Sequence, residues 1–274
     1  MFRAPGVVFR VHCAEDAFLA RLSRVFAALR APDVDPPTVT DTFEVRDRGP
    51  AFLPSRWLVH RDGRLINDAS TPGQALDAVL TDLDDLVMQR VQATSLAVHA
   101  AAVERHGRVV LLPAASGSGK TTLAAAAVAA GARYVTDECV VIDRATMQVT
   151  PYPRPLCVKP GSADVVRSLL REPVEAVDDA HSWHVPPAAL GEISVGGRLA
   201  AVIVPGFDAK ATARLEPMSR AEAMLAVAGQ AAFLAQSGPQ ALPALRDVVS
   251  GGPCYRLPFS DVRAAAALLD GALS

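Results

Sequence analysis

Apolar and polar positions change their period several times along the chain, and each change marks an element. An apolar run at 7–11 predicts a short strand. Phe18, Leu19, Leu22, Val25, Phe26 and Leu29 recur at helical spacing and predict an amphipathic helix over 14–29. A proline-rich connector follows at 31–37. Strands are expected at 40–46 and 56–60 around a turn at 49–54. Arg61, Asp62, Gly63 and Arg64 have the composition of a hairpin turn before Leu65 and Ile66. Thr71 and Pro72 suit the start of a helix running to about 92, with Leu76, Val79, Leu80, Leu83, Leu86 and Val87 inward. Residues 1–93 are thus expected to form a small α/β unit of mostly antiparallel strands. No catalytic constellation stands out there, and His12, Cys13 and Asp16 fit packing and surface roles.

From 94 to 274 strands and helices continue to alternate. The pattern predicts strands at 95–103, 109–112, 133–136, 139–142, 199–205 and 254–257. It predicts helices at 122–130, 161–170, 219–234, 240–249 and 260–269. Residues 104–107 read as a turn, 152–159 as a proline-punctuated strand or loop, and 181–187 as an exposed loop. The fold class is α/β, a nucleotide-binding unit at 94–274 preceded by the smaller unit.

The strand at 109–112 runs directly into Ser116, Gly117, Ser118, Gly119, Lys120 and Thr121, and a helix dense in alanine begins at once. Strand, glycine-rich turn and helix in this order are the context of a phosphate-binding loop. Gly117 and Gly119 let backbone N–H groups approach phosphate oxygens, and the helix directs its positive end at the same anion. Lys120 supplies a compact charge for the outer phosphates, Thr121 a hydroxyl for Mg²⁺, and Thr122 completes the nucleotide-binding set. Ala114 occupies the place of the usual first glycine, which alanine tolerates where φ is negative.

Composition narrows the choice of partner. The net charge of −2, without a basic block, argues against a dedicated nucleic-acid binder. Cys13, Cys139, Cys157 and Cys254 are widely spaced and form no ligand cluster, which fits reduced thiols in a cytoplasmic protein. No apolar run reaches transmembrane length, so no membrane association is expected. Only three lysines occur, Lys120, Lys159 and Lys210, in a chain otherwise rich in arginine.

A phosphate loop does not name a reaction. Asp137 and Glu138 fall at a strand end just after the loop helix, where one carboxylate could hold Mg²⁺ and the other deprotonate a hydroxyl. His99 lies 21 residues before Lys120, and Asp137 lies 17 after it. With that spacing the chain resembles the catalytic domain of the bacterial HPr kinase/phosphorylase family. The matching residues are His99, Ser116 to Thr121, and the acidic pair. The resemblance implies that Asp137 is the general base, Glu138 a metal ligand and His99 a partner of Asp137. It implies catalytic roles for Asp137, His99 and Lys120, with ATP and Mg²⁺ as cofactors.

It covers about 95–160 well and the rest loosely. The family's second acidic residue is normally Asp, and its later segment associated with phosphorolysis has no clear counterpart; Arg154 and Lys159 are the nearest candidates. Relatives of this kind occur in gene clusters for modified peptides, including lasso peptides, and phosphorylate a peptide hydroxyl. The stretches 152–161 and 183–187 look similar to parts of them, with Trp183 and His184 read equally as a packed loop or as part of an acceptor pocket. The expected acceptor is a hydroxyl of a peptide or small protein, and self-association is left open. A small-molecule hydroxyl kinase and a nucleotide-binding regulator without transfer activity are the alternatives.

Overall fold

A computed structural model describes residues 1–31, 38–48, 57–174, 183–232 and 241–273. The expected connector at 31–37 (after Ala31) and the turn at 49–54 lie outside the described residues, as do 181–182 and the tail of the helix expected to reach 234.

The first sheet is built from β1 (Phe2–Ala4), β2 (Val7–Cys13), β3 (Asp41–Asp47), β4 (Trp57–Arg61) and β5 (Arg64–Ala69), in that spatial order. Only β2 and β3 pair in parallel. β4 and β5 meet at Asp62 and Gly63, both left-handed (φ 48° and 80°), the conformation that matches the twist of a tight hairpin. Helix α1 (Asp16–Val25) is shorter than the periodicity predicts. A 3₁₀ turn at Ala27–Leu29 takes over, and the tighter winding still turns Phe26 and Leu29 into the core. β1 gave no signal because three residues are too few to show a period.

Helix α2 (Pro72–Val91) starts where expected, with the Thr71 hydroxyl accepting from the Gln74 N–H. Its apolar stripe, Leu76 to Val87, is buried against the first sheet.

The second sheet is mixed. β6 (Ser95–Arg105), β7 (Arg108–Pro113), β9 (Cys139–Asp143), β10 (Gln148–Thr150), β13 (Gly197–Phe207), β14 (Glu216–Pro217) and β15 (Cys254–Phe259) run in the order β10-β9-β6-β7-β13-β15-β14. β8 (Arg133–Thr136) also pairs with β6. β11 (Leu156–Val158) and β12 (Trp183–Val185) form a separate ribbon. Helices α3 (Lys120–Ala129), α4 (Ala163–Arg167), α5 (Arg220–Ala228), α6 (Ala241–Ser250) and α7 (Val262–Leu273) complete the chain.

Alternation along β6 explains where the layers meet. Leu96, Val98, Ala100 and Ala102 face the core beneath α5 and α6. On the opposite face, Ala97 joins the core of the first sheet, whereas Ala101 and Val103 join the core under α3 and α7. His99 lies on that face between the two cores. Cys139, Val141 and Tyr152 pack into the first core beside Ala97, so the N-terminal elements rest on this end of the second sheet.

The stretch expected as an exposed loop at 181–187 is instead buried where it is described. Trp183, His184 and Val185 pair with β11, and Arg167 lies over the Trp183 ring at 5.3 Å. Three residues are too few to show a period, and Pro186 and Pro187 directly after them suggested a loop. All four cysteines are free thiols. Among the described residues no helix is long and apolar enough to cross a membrane.

Candidate functional site

β7 ends at Pro113 and α3 begins at Lys120, leaving a glycine-rich loop between a central strand and a helix N-terminus. Gly117 and Gly119 have φ of 86° and 89°, a region costly for residues with a Cβ. At Gly119 a Cβ would also meet the Phe259 ring at 2.8 Å, so this position requires glycine twice over. Ala114 is absent from the residues of positive φ, which explains why alanine serves there. No side chain caps α3, so its first N–H groups are open to an anion.

The Lys120 side chain folds back over the loop. Its Nζ donates to the carbonyl oxygens of Ala114 at 2.5 Å and Ala115 at 3.2 Å. Burial pushes its pKa down, opposed by Glu138 and Asp137. The buried Ser118 hydroxyl has no partner among the described residues. An orphan hydroxyl, an uncapped helix and an inward ammonium form a donor set that fits a phosphate chain. Thr121 and Thr122, in the first turn of α3, are half-buried beside it.

The acidic pair sits at a topological break. One edge of β6 is shared by two consecutive strands, β9 along 95–99 and β8 along 102–104. Asp137 and Glu138 fill the gap between them, and Ala100 N–H donates to the Glu138 carbonyl at 3.1 Å. The two side chains part company there. Asp137 turns inward, 1% exposed, and accepts from the Tyr134 hydroxyl at 2.9 Å, with the Thr121 side chain nearby. Burial raises its pKa, and Arg154 and the two hydroxyls oppose the rise. Glu138 keeps a third of its side chain exposed, and its Oε1 lies 3.0 Å from His99 Nδ1. Burial works against its charge, but the His99 bond, Arg154 and Lys120 together hold its pKa below the ordinary value.

His99 therefore partners Glu138, not Asp137 as the family pattern implies. The register is the reason: His99 stands opposite Cys139 on β9, next to Glu138, while Asp137 is drawn under the sheet by Tyr134.

Sequence reasoning missed the group beneath the pair. Arg154, 3% exposed, places NH1 3.1 Å from Asp84 and 3.9 Å from Glu138. Asp84 comes from α2, so the N-terminal elements do reach the site. Burial pushes its pKa to about 7 against the pull of Arg154. Its Oδ1 has no partner among the described residues. Arg154 also supplies the carbonyl that accepts from the Tyr134 hydroxyl at 3.1 Å. A further cation stands above the loop: Lys159, just after β11, donates from Nζ to the Ser116 hydroxyl at 2.8 Å.

Asp77, Cys157 and His184 also converge, with ligand-type atoms within 4.8 Å of one another. His184 Nε2 lies 2.7 Å from the Asp77 carboxylate. Two arginines contact the cluster. Arg21 lies 3.4 Å from His184 Nδ1, and Arg154 donates to the Cys157 sulfur at 3.3 Å. Burial drives the Cys157 thiol up to about 12, which keeps its proton on. The cluster reads as a polar clasp joining α1 and α2 to β11 and β12. It gives buried His184 a packing role.

No protein-family model and no curated protein matches the chain. Among solved structures, the HPr(Ser) kinase/phosphatase from Coxiella burnetii shares 12% identity at a TM-score of 0.32. The match spans 65% of this chain and 87% of that one. At that distance the likeness carries no weight for the site or its activity.

Proposed function

We propose that the chain is an ATP- and Mg²⁺-dependent phosphotransferase acting on a hydroxyl of a peptide or small protein in the cytoplasm. One observation carries the reading: a phosphate-type loop, with Lys120 over it, shares a seam with Asp137, Glu138 and His99. A loop alone would serve a regulator; the acidic pair and histidine beside it supply what transfer requires.

Residues 116–122 would hold the phosphates, and Thr121 and Asp137, whose side chains lie near each other, would hold Mg²⁺. Bound there, the ion would neutralise phosphate charge. Glu138 faces solvent where Asp137 does not, and it is ionised, so it is the carboxylate an incoming hydroxyl can reach. The acceptor oxygen bonds to the terminal phosphorus as the bond to the bridging oxygen breaks, and its proton passes to Glu138. His99 fixes the Glu138 carboxylate in place. This division of roles reverses the one the family pattern implies, on the strength of the burial of Asp137 and the His99–Glu138 pairing.

The acceptor is tested by incubating the protein with MgATP and, separately, free hydroxy amino acids, HPr, and the peptide encoded beside its gene. The expected result is a mass gain of one phosphate on the peptide alone. Efficient labelling of a free amino acid would replace the peptide reading with a small-molecule kinase. Tight ATP binding with no labelling of any acceptor would leave a nucleotide-binding regulator.

A further inference from the structure

We propose that Lys159 is a second phosphate-binding ammonium, one that engages the terminal phosphate of a bound nucleoside triphosphate. The inference rests on the kinase reading above and extends it to a residue outside the glycine-rich loop. Lys120 reaches back to the carbonyls of Ala114 and Ala115, and Lys159 reaches in to the hydroxyl of Ser116. Two ammonium groups from distant parts of the chain thus converge on three consecutive residues at one limb of the loop. Their charges repel, and Lys159 contributes to the depressed pKa of Lys120. Glu138 and Asp137 offset part of that repulsion at Lys120, and an anion between the two ammonium groups would offset the rest.

Position points the same way. Lys159 follows β11 and opens the 3₁₀ turn at Pro160–Ser162, where its carbonyl accepts from the Ser162 N–H and hydroxyl. The backbone is fixed while the side chain stays exposed to solvent. An exposed ammonium loses little on exchanging the neutral Ser116 hydroxyl for a phosphate oxygen, which carries the opposite charge. The chain uses arginine nearly everywhere else, and its three lysines include both cations at this limb. Lys120 is the cation assigned to the outer phosphates, so an ammonium sharing its limb of the loop is placed for the terminal phosphate and not the inner ones.

The test titrates MgATP and MgADP by calorimetry into the unaltered protein, Lys159→Met and Ser116→Ala, with thermal melts to confirm folding. Lys159→Met is expected to weaken MgATP by roughly 10- to 100-fold, the scale of one charge-assisted contact, and to leave MgADP unchanged. Ser116→Ala removes a loop hydroxyl that both nucleotides meet, so it should not separate MgATP from MgADP. A Ser116→Ala variant that reproduced the selective MgATP loss of Lys159→Met would make Lys159 a tether of β11 and overturn the proposal. Equal weakening of MgADP, or unaltered MgATP affinity in Lys159→Met, would also overturn it while leaving the kinase reading intact. Failure of the unaltered protein to bind either nucleotide would overturn both.

Discussion

Glu138→Gln is expected to leave MgATP affinity intact and to slow phosphoryl transfer by roughly 10²- to 10⁴-fold, the usual contribution of a positioned general base. The amide keeps the shape of the side chain and its place beside His99 but cannot take the acceptor proton. Asp137→Asn should do something different. It removes the buried negative charge beside Thr121 and should raise the Mg²⁺ concentration needed for half-maximal rate. The pH profile separates the two carboxylates independently. The pKa of Glu138 is held below its ordinary value, so a rate governed by Glu138 persists down through the ordinary carboxylate range. Burial raises Asp137, so a rate governed by Asp137 would fall away at higher pH. Normal turnover in Glu138→Gln, with an inactive Asp137→Asn of unchanged Mg²⁺ requirement, would restore the roles that the family pattern implies.

Arg154→Met is expected to cost about 3–5 kcal/mol of stability, the scale for removing one partner from a buried charge network. Its guanidinium faces Asp84, Asp137 and Glu138 in a region almost closed to water. Methionine fills similar space but leaves the carboxylates without a counter-charge. The loss should grow with pH. Asp84 has an ordinary value of 3.8 and a folded value of about 7, so between those limits the folded chain holds a proton that the unfolded chain has released. Stability from that group is present below about 4 and is lost as pH rises through 7. Removing Arg154 raises the folded value further and steepens the loss. Urea unfolding of both proteins at pH 5 and pH 8 measures this. A penalty under about 1 kcal/mol at both values, the scale of an exposed pair, would mean that Arg154 does not neutralise the acidic group.

Local chemistry was legible in the sequence where its causes are local. Asp62 and Gly63 dictate a hairpin, Thr71 and Pro72 start α2, and Gly117 and Gly119 bend the chain between β7 and α3. The stripe from Leu76 to Val87 gave away the buried face of α2. What stayed hidden depends on partners distant in the chain. Nothing near Asp84 announces Arg154, 70 residues on, and nothing near Asp77 announces His184, with a separation of 107. His99 could be singled out by its spacing to Lys120. Its partner is set by the register of β6 against β9, which spacing does not carry. β12 escaped notice because three residues ahead of Pro186 and Pro187 leave no period to read, although burial of Trp183 is ordinary for so apolar a ring.

Titration of MgATP into the unaltered protein and into Lys120→Ala tests the proposed phosphate site most directly. Lys120 is buried over the loop and spends its donors on two loop carbonyls, which a terminal phosphate would replace. The unaltered protein should bind MgATP. Lys120→Ala should melt as a folded protein and lose most of that affinity along with all transfer. A folded Lys120→Ala variant that binds MgATP as tightly as the unaltered protein would contradict a nucleotide site at this loop, and the kinase reading with it.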